Sequence, residues 1–178
     1  KRFVIYRKNT EEITTTYEVP YTQNDVIKYT GDWFHNDQTG PAMRSTKAGE
    51  KAEMIFNGTG IMIYVCNGTG AGLMKVYIDG NLVDTVDTYN SVSAQNVLIY
   101  EKTNLSPGDH TIVIENGGKG PNSVASNLNL SSFVVVREPK ASESKIPVPT
   151  VKEVEELIVD LEDNPKNSLS QKQALDAA

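Results

Sequence analysis

The sequence predicts an all-β protein, an antiparallel jelly-roll β-sandwich followed by a short C-terminal helical segment, and three features predict it. Between Glu53 and Val136, runs of β-branched and aromatic residues recur at short intervals with no helical periodicity between them. The turns separating these runs alternate between two kinds. One kind is short and Gly-driven: Asn57-Gly58-Thr59-Gly60, Asp79-Gly80 and Ser106-Pro107-Gly108-Asp109. The other is long and polar, at about 30–49, 67–72, 87–94 and 116–127. Each antiparallel strand crosses the domain, so successive connections fall at opposite ends, and counting strands gathers every long loop at one pole. Finally, the composition changes at Glu138 from strand-rich to polar and then helical.

RFVIY (2–6) and TTTYEV (14–19) are β-rich and read as leading edge strands, and DVIKY (25–29) as a short alternating strand. In KAEMIF, Ala52, Met54 and Phe56 alternate with polar partners, so one face is buried. GIMIYVC is apolar on both faces and reads as a central strand. LMKVYID and its return LVDTVDTY flank Asp79-Gly80, a two-residue hairpin turn. QNVLIYEK, HTIVIEN and LNLSSFVVV bring the count to about eight strands, closing a sandwich domain over 1–137. Residues 138–149 are a Pro- and Ser-containing linker. At 150–178 a helical hairpin is expected: Thr150 and Glu153 form a capping box, and Val151, Val154, Leu157, Ile158 and Leu161 share one face. Asn164-Pro165 ends that helix, and Ser168 or Ser170 caps a second, QKQALDAA. Two short helices bury little by themselves, so this stretch is either the start of a further module or a hairpin docked on the sandwich.

The 178 residues, 38% of them hydrophobic, suit one ordinary domain with an appendage. No apolar run reaches the roughly 18 residues of a membrane span, so no membrane insertion is expected. The start, KRFVIYRKNTEEI, does not resemble a secretion signal, and the missing initiator Met points to an excised or processed piece. The net charge of −6 comes with no basic stripe, which sets nucleic acid aside. Cys66 is the only cysteine, so no intrachain disulfide exists; it ends an apolar strand and reads as a small buried hydrophobe. The sequons at Asn57, Asn67, Asn104 and Asn129 carry little weight, since two of them are Asn-Gly turns. Neither G-x-S-x-G nor H-E-x-x-H occurs, and the two histidines fall at opposite poles, so no enzyme activity is expected of the chain itself.

The ordered set IKYTGDW, FNGTGIMIYV, KVYIDGNLVDTVDTY, VLIYEKTNLSPGDHTIVIE and LNLSSFVVV resembles the galactose-binding-like jelly-roll modules, which are similar to the carbohydrate-binding modules of bacterial secreted glycoside hydrolases. The resemblance covers about Tyr17 to Val136. It implies a non-catalytic glycan-binding module, secreted or at the cell surface, whose partners are a glycan and neighbouring domains of the same polypeptide. Similar modules often end in V-x-L-D-x-F, whose acidic residue supports a structural calcium; here Ser131 stands in its place. The loop DWFHNDQTG, with Asp32, Asn36 and Asp37, offers hard oxygen donors for calcium instead, or is an ordinary solvated loop.

Sugar recognition needs an apolar surface for the C–H face of the ring and planar hydrogen-bonding groups for its hydroxyls. Phe34 and Tyr89 are the platform candidates at loop edges, whereas Trp33 reads as core. His35 is a ligand hydrogen-bonder or a solvated loop residue, and Arg44 offers a fork to vicinal hydroxyls or to a neighbouring carboxylate. Asn67, Asn90, Asn116 and Asn122 each supply donor and acceptor on one amide, or serve as turn residues. His110, beside Gly108-Asp109, reads as structural. The competing functions are a structural spacer or protein-interaction module without sugar binding, or an accessory domain of an adjoining glycoside hydrolase.

Overall fold

Alternation along each strand decides which side chains meet the core. The structure, a computed structural model, describes residues 15–36 and 40–137. RFVIY, Asp37, the 138–149 linker and the 150–178 helices lie outside the described residues. In chain order the strands are β1 (Thr15–Pro20), β2 (Lys28–Thr30), β3 (Phe34–His35), β4 (Met43–Ser45), β5 (Lys51–Gly58), β6 (Gly60–Asn67), β7 (Leu73–Ile78), β8 (Asn81–Asp87), β9 (Ala94–Lys102), β10 (Gly108–Gly118) and β11 (Leu128–Arg137). They form two antiparallel sheets, ordered β3-β4-β11-β6-β9 with β1 also on β11, and β2-β5-β10-β7-β8. The all-β sandwich read from the sequence is the observed fold.

Between the sheets, Ala52, Met54 and Phe56 of β5 turn inward as their alternation demands, with Met74, Val76, Ile112 and Ile114 beside them. Ile61, Ile63, Val65, Leu128, Leu130, Phe133 and Val135 meet them from the other sheet. Each buried aliphatic or aromatic side chain contributes roughly 1.5–3 kcal/mol of transfer free energy. In β11 the register against β6 shifts between Leu130 and Ser132. This bulge moves the inward positions from Leu128 and Leu130 to Phe133 and Val135, which is where the two serines fall. Ser131 Oγ lies 3.4 Å from the buried Cys66 Sγ.

Two segments depart from the sequence reading. DVIKY pairs only from Lys28, because the Gln23 carbonyl accepts the N–H groups of both Val26 (3.0 Å) and Ile27 (2.8 Å) and holds the chain in a turn. The stretch read as one loop, 30–49, contains the short β3–β4 hairpin, too brief for its alternation to register in the sequence.

The long loops meet at one end. Gly49 N–H donates to the Asn116 carbonyl (2.8 Å), Ser126 Oγ to the Thr46 carbonyl (2.8 Å), and Val124 N–H to the Thr69 carbonyl (2.8 Å). Gly68 bridges Tyr89, and Thr88 Oγ1 donates to the Gly72 carbonyl (2.7 Å). At the opposite end are the short turns, where Asn57 Nδ2 donates to Asp109 (2.8 Å) and Leu105 N–H to Thr59 (2.9 Å). Asp79-Gly80, with φ of 51° and 79°, makes the tight β7–β8 connection that only residues tolerant of positive φ allow.

His110 staples that short-turn end. Its Nδ1 lies 2.7 Å from Asp79 Oδ2 and its Nε2 2.7 Å from the Ser106 carbonyl. Both partners are acceptors only, so both ring nitrogens donate and the bound form is the imidazolium. The Ser106 carbonyl first, and Asp79 next, raise its pKa above the ordinary 6.5, with Asp109 adding a smaller pull. The sign follows: a raised folded pKa gives stability that is fully present below about pH 6.5 and lost as pH rises through the folded value. His110→Ala is expected to cost about 1–2 kcal/mol at pH 6 and measurably less at pH 9, in urea unfolding at both. An equal cost at the two pH values would reduce the ring to packing against Phe56, whose centroid is 5.7 Å away.

Candidate functional site

One row of residues crosses the outer face of the first sheet at the long-loop end. β3 pairs with β4 so that Phe34 stands opposite Arg44, and β4 pairs with β11 so that Arg44 stands opposite Asn129. Opposed residues of an antiparallel pair share a face. The face is the outer one, because Met43 and Ser45 are buried on the other side and Leu128 and Leu130 point into the core. Phe34 is 47% exposed, an apolar ring beside a guanidinium. Arg44 is half-buried, and its Nε donates to Asn129 Oδ1 at 2.6 Å. Asn129 in turn donates through Nδ2 to the Cys66 carbonyl at 3.1 Å. Burial pulls the Arg44 pKa down, yet a guanidinium stays charged at any physiological pH.

Beside this row opens a cleft of about 100 Å³ lined by Arg44, Asn129, Asn67, the 68–71 loop, Ser93 and Asn127. None of these is a carboxylate. Asn67 is buried and its Oδ1 accepts the Ala94 N–H (3.1 Å), fixing the start of β9 against the β6–β7 loop. Asn127 is held by its backbone, donating to Gly70 (3.0 Å) and accepting from Gly72 (2.8 Å). Its side-chain amide and the Ser93 hydroxyl make no hydrogen bond among the described residues, so both remain available to a ligand.

The structure brings Arg44 and Asn67 to this cleft and sets Tyr89 and Asn90 next to it, because Gly68 bridges Tyr89 and accepts the Asn90 N–H at 3.3 Å. Tyr89 is half-buried; Asn90 Oδ1 accepts the Val92 N–H (3.3 Å) in a local turn. Asn122 is exposed on the β10–β11 loop, which also carries Asn127. His35 alternates with Phe34 and so leaves the outer face, and its ring meets Tyr21 edge-on at 5.2 Å. Asn116 is fully buried. Its amide donates to Ser45 Oγ (3.0 Å) and the Ser126 carbonyl (2.7 Å), and its Oδ1 accepts the Gly118 N–H (2.8 Å). Expected as a ligand group, Asn116 is instead found buried, with three of its four hydrogen-bonding positions tying the long loops together. Trp33 packs against the core and against Tyr29 (5.2 Å), as its reading anticipated.

Glu50 organises the loop that carries Asp32 and the β3–β4 hairpin. It is 8% exposed, and its carboxylate accepts from Asp32 N–H (2.7 Å), Ser45 Oγ (2.5 Å) and Lys47 N–H (3.3 Å). Burial pushes its carboxyl up, but the donors from Ser45, Asp32 and Lys47 together hold it below the usual carboxylate range. Gly31 lets the chain pass over it: a Cβ there would meet Glu50 Cγ at 2.5 Å, and φ is +105°. The Asp32 carboxylate pairs with Lys47 Nζ, whose hydrogen bond lowers its pKa. Among the described residues no three His, Cys, Asp or Glu side chains converge as a metal site. Asp32 is paired with the Lys47 ammonium and the Glu50 carboxylate with three donors, while Asp37, the other candidate ligand of this loop, lies outside the described residues.

Asn127, Asn129 and Ser93 escaped the sequence reading. Asn129 had a signal, since Leu128 and Leu130 inward put it outward; Asn127 and Ser93 reach the cleft only through loop packing that no local pattern encodes. Among the described residues, no helix is long and apolar enough to cross a membrane.

No family model matches the chain. Two curated enzymes of Flavonifractor plautii are similar to part of it. A type blood alpha-D-galactosamine galactosaminidase is 38% identical over 100 residues, 54% of this chain and 9% of the enzyme. A type blood N-acetyl-alpha-D-galactosamine deacetylase is 34% identical over 101 residues, 54% of this chain and 13% of the enzyme. The chain therefore spans only a small part of either relative. Among solved structures, a two-domain esterase active on acetylated mannans, co-crystallized with mannopentaose, superposes with a TM-score of 0.59 at 11% identity, over 77% of this chain and 41% of that one. The CBM36-1 domain of a multidomain xylanase from the hindgut metagenome of Trinervitermes trinervoides superposes with a TM-score of 0.51 at 13% identity, over 71% of this chain and 99% of that domain. The two-sheet antiparallel sandwich resembles CBM36-type carbohydrate-binding modules in fold.

Proposed function

We propose that the chain is a non-catalytic glycan-binding module of a larger extracellular bacterial enzyme, holding carbohydrate in the cleft beside Phe34 and Arg44. The observation that carries this reading is the Phe34–Arg44–Asn129 row, which sets an exposed ring, a guanidinium and a polar cleft side by side on rigid strands. A ring and a fork of donors are the two requirements of sugar recognition. The relatives support the accessory role. Each match covers 54% of the chain, so the two must overlap, and the matched enzymes are a glycosidase and a deacetylase. A segment common to two different reactions is better read as what both need, a hold on the substrate, than as the chemistry of either.

The 178-residue chain, screened on an array of bacterial, plant and host glycans, is expected to bind a restricted set that includes blood-group A structures. Silence across the array favours the spacer or protein-interaction reading.

A further inference from the structure

We propose that the groove on the other side of the β3–β4 hairpin is a second carbohydrate site, separate from the cleft beside Arg44, which seats a neutral pyranose against Trp33 and Tyr29. This rests on the glycan-binding reading above and adds a site to it. The groove holds about 430 Å³, over four times the volume of the cleft and within the range of ligand pockets, and Asn24, Ile27, Tyr29, Trp33 and Met43 line it. Trp33 and Met43 directly precede Phe34 and Arg44. Met43 is buried on the opposite side of β4 from Arg44, so one hairpin serves both surfaces.

Two rings form the wall of the groove. Trp33 and Tyr29 are half-buried, their centroids 5.2 Å apart and their planes tilted by 49°. Both polar tips are spent inside the protein: Trp33 Nε1 donates to the Thr30 carbonyl (3.2 Å) and the Tyr29 hydroxyl to the Tyr21 carbonyl (2.8 Å). What the rings have left to offer is their faces, held in place before any ligand arrives, and an apolar face is what the C–H side of a pyranose packs on. Ile27 and Met43 keep the adjoining lining apolar. The exposed Asn24 side-chain amide makes no hydrogen bond among the described residues, so its donor and acceptor are both open to a pair of vicinal hydroxyls. Charge is set to one side: Lys28, which also borders the groove, stands opposite Glu53 on the outer sheet face, whereas Tyr29 stands opposite the buried Ala52. A neutral sugar suits that lining, and without a charge-assisted donor it binds more weakly than at Arg44. Proline-rich peptides also dock in aromatic grooves, but two rings in mutual contact leave no slot between them for a prolyl ring.

Trp33 is the only tryptophan of the chain, so its fluorescence reports on this groove. The test is a titration of the full chain with the methyl pyranosides of galactose, N-acetylgalactosamine, mannose and xylose, each to ~10 mM. At least one is expected to give a saturable blue shift. Arg44→Ala is expected to move its midpoint less than about twofold. Asn24→Ala is expected to raise the midpoint about fivefold, the loss of one neutral hydrogen bond, and to leave binding at the cleft unchanged. Tyr29→Leu, which keeps apolar volume but removes the ring, is expected to raise it about tenfold. Asn24 is exposed and its side chain unbonded, so that variant keeps its fold by circular dichroism even where Tyr29→Leu does not. No saturable change with any of the four sugars overturns the second site, and so does a response to decaproline alone. A midpoint that rises about 30–100-fold in Arg44→Ala assigns the signal to the cleft and overturns it too, as does a midpoint unmoved by Asn24→Ala. Each of these leaves the glycan-binding reading standing while the chain still binds on the glycan array; silence there as well overturns both.

Discussion

Replacing Glu50 by Ala is expected to lower stability by about 2–4 kcal/mol at pH 7, because it leaves the Asp32 and Lys47 N–H groups and the Ser45 hydroxyl without their shared acceptor. Three donors on one buried carboxylate are worth more than a surface ion pair, since water cannot replace them without entering beneath Gly31. Glu50→Gln restores shape but turns one acceptor into a donor facing other donors, so it recovers less than half of the loss. The pH dependence is fixed in sign. A folded pKa held below the ordinary 4.5 gives stability that is fully present above that value and lost as pH falls through the lowered one. Urea unfolding therefore separates wild type from Glu50→Gln most strongly at pH 7, by a margin that shrinks as the pH is taken below 4.5. Hydrogen exchange gives the local readout: the Asp32 and Lys47 amides lose protection in Glu50→Ala while Ile112 and Ile114 follow global stability.

Arg44→Ala is expected to weaken glycan binding by about 30–100-fold, the effect of losing about 2–3 kcal/mol of charge-assisted hydrogen bonding in a half-buried setting. Arg44→Lys recovers little, because an ammonium cannot hold Asn129 Oδ1 and present further donors in one plane. Phe34→Ala costs roughly tenfold through the lost ring platform. His35, turned toward Tyr21, separates the sheet-face site from a broader loop site: its change to Ala is expected to alter affinity less than about threefold. Stability of Arg44→Ala falls by about 1 kcal/mol for the orphaned Asn129 oxygen, small enough to keep binding measurements clean.

The architecture was legible in the sequence because period-two alternation, Gly-based turns and the position of each apolar run are local and mutually consistent. Ala52, Met54 and Phe56 point where their spacing says, and Asp79-Gly80 turns as its residues require. The ordering of long loops at one pole followed from strand parity alone. What was not legible depends on long-range register. Phe34, Arg44 and Asn129 are ten and eighty-five positions apart along the chain and meet through two short pairings, one of only two residues in β3. Asn116 looked like any loop amide, and only its three bonds, to Ser45, Ser126 and Gly118, show that it is spent on the scaffold. The β11 bulge likewise changes which residues face inward at a point where the sequence shows just two serines.

The account stands most directly on where a glycan touches the sandwich. Titrating the isotopically labelled chain with a blood-group A glycan and following backbone amide shifts is the measurement. The account predicts shifts concentrated at Phe34, Arg44, the 67–71 loop, Ser93 and Asn127, saturating together and needing about 30–100-fold more glycan to saturate in Arg44→Ala. Shifts centred instead on Asn57, Asp79 and His110 at the short-turn end, or on the exposed sheet face around Ile55, would contradict it.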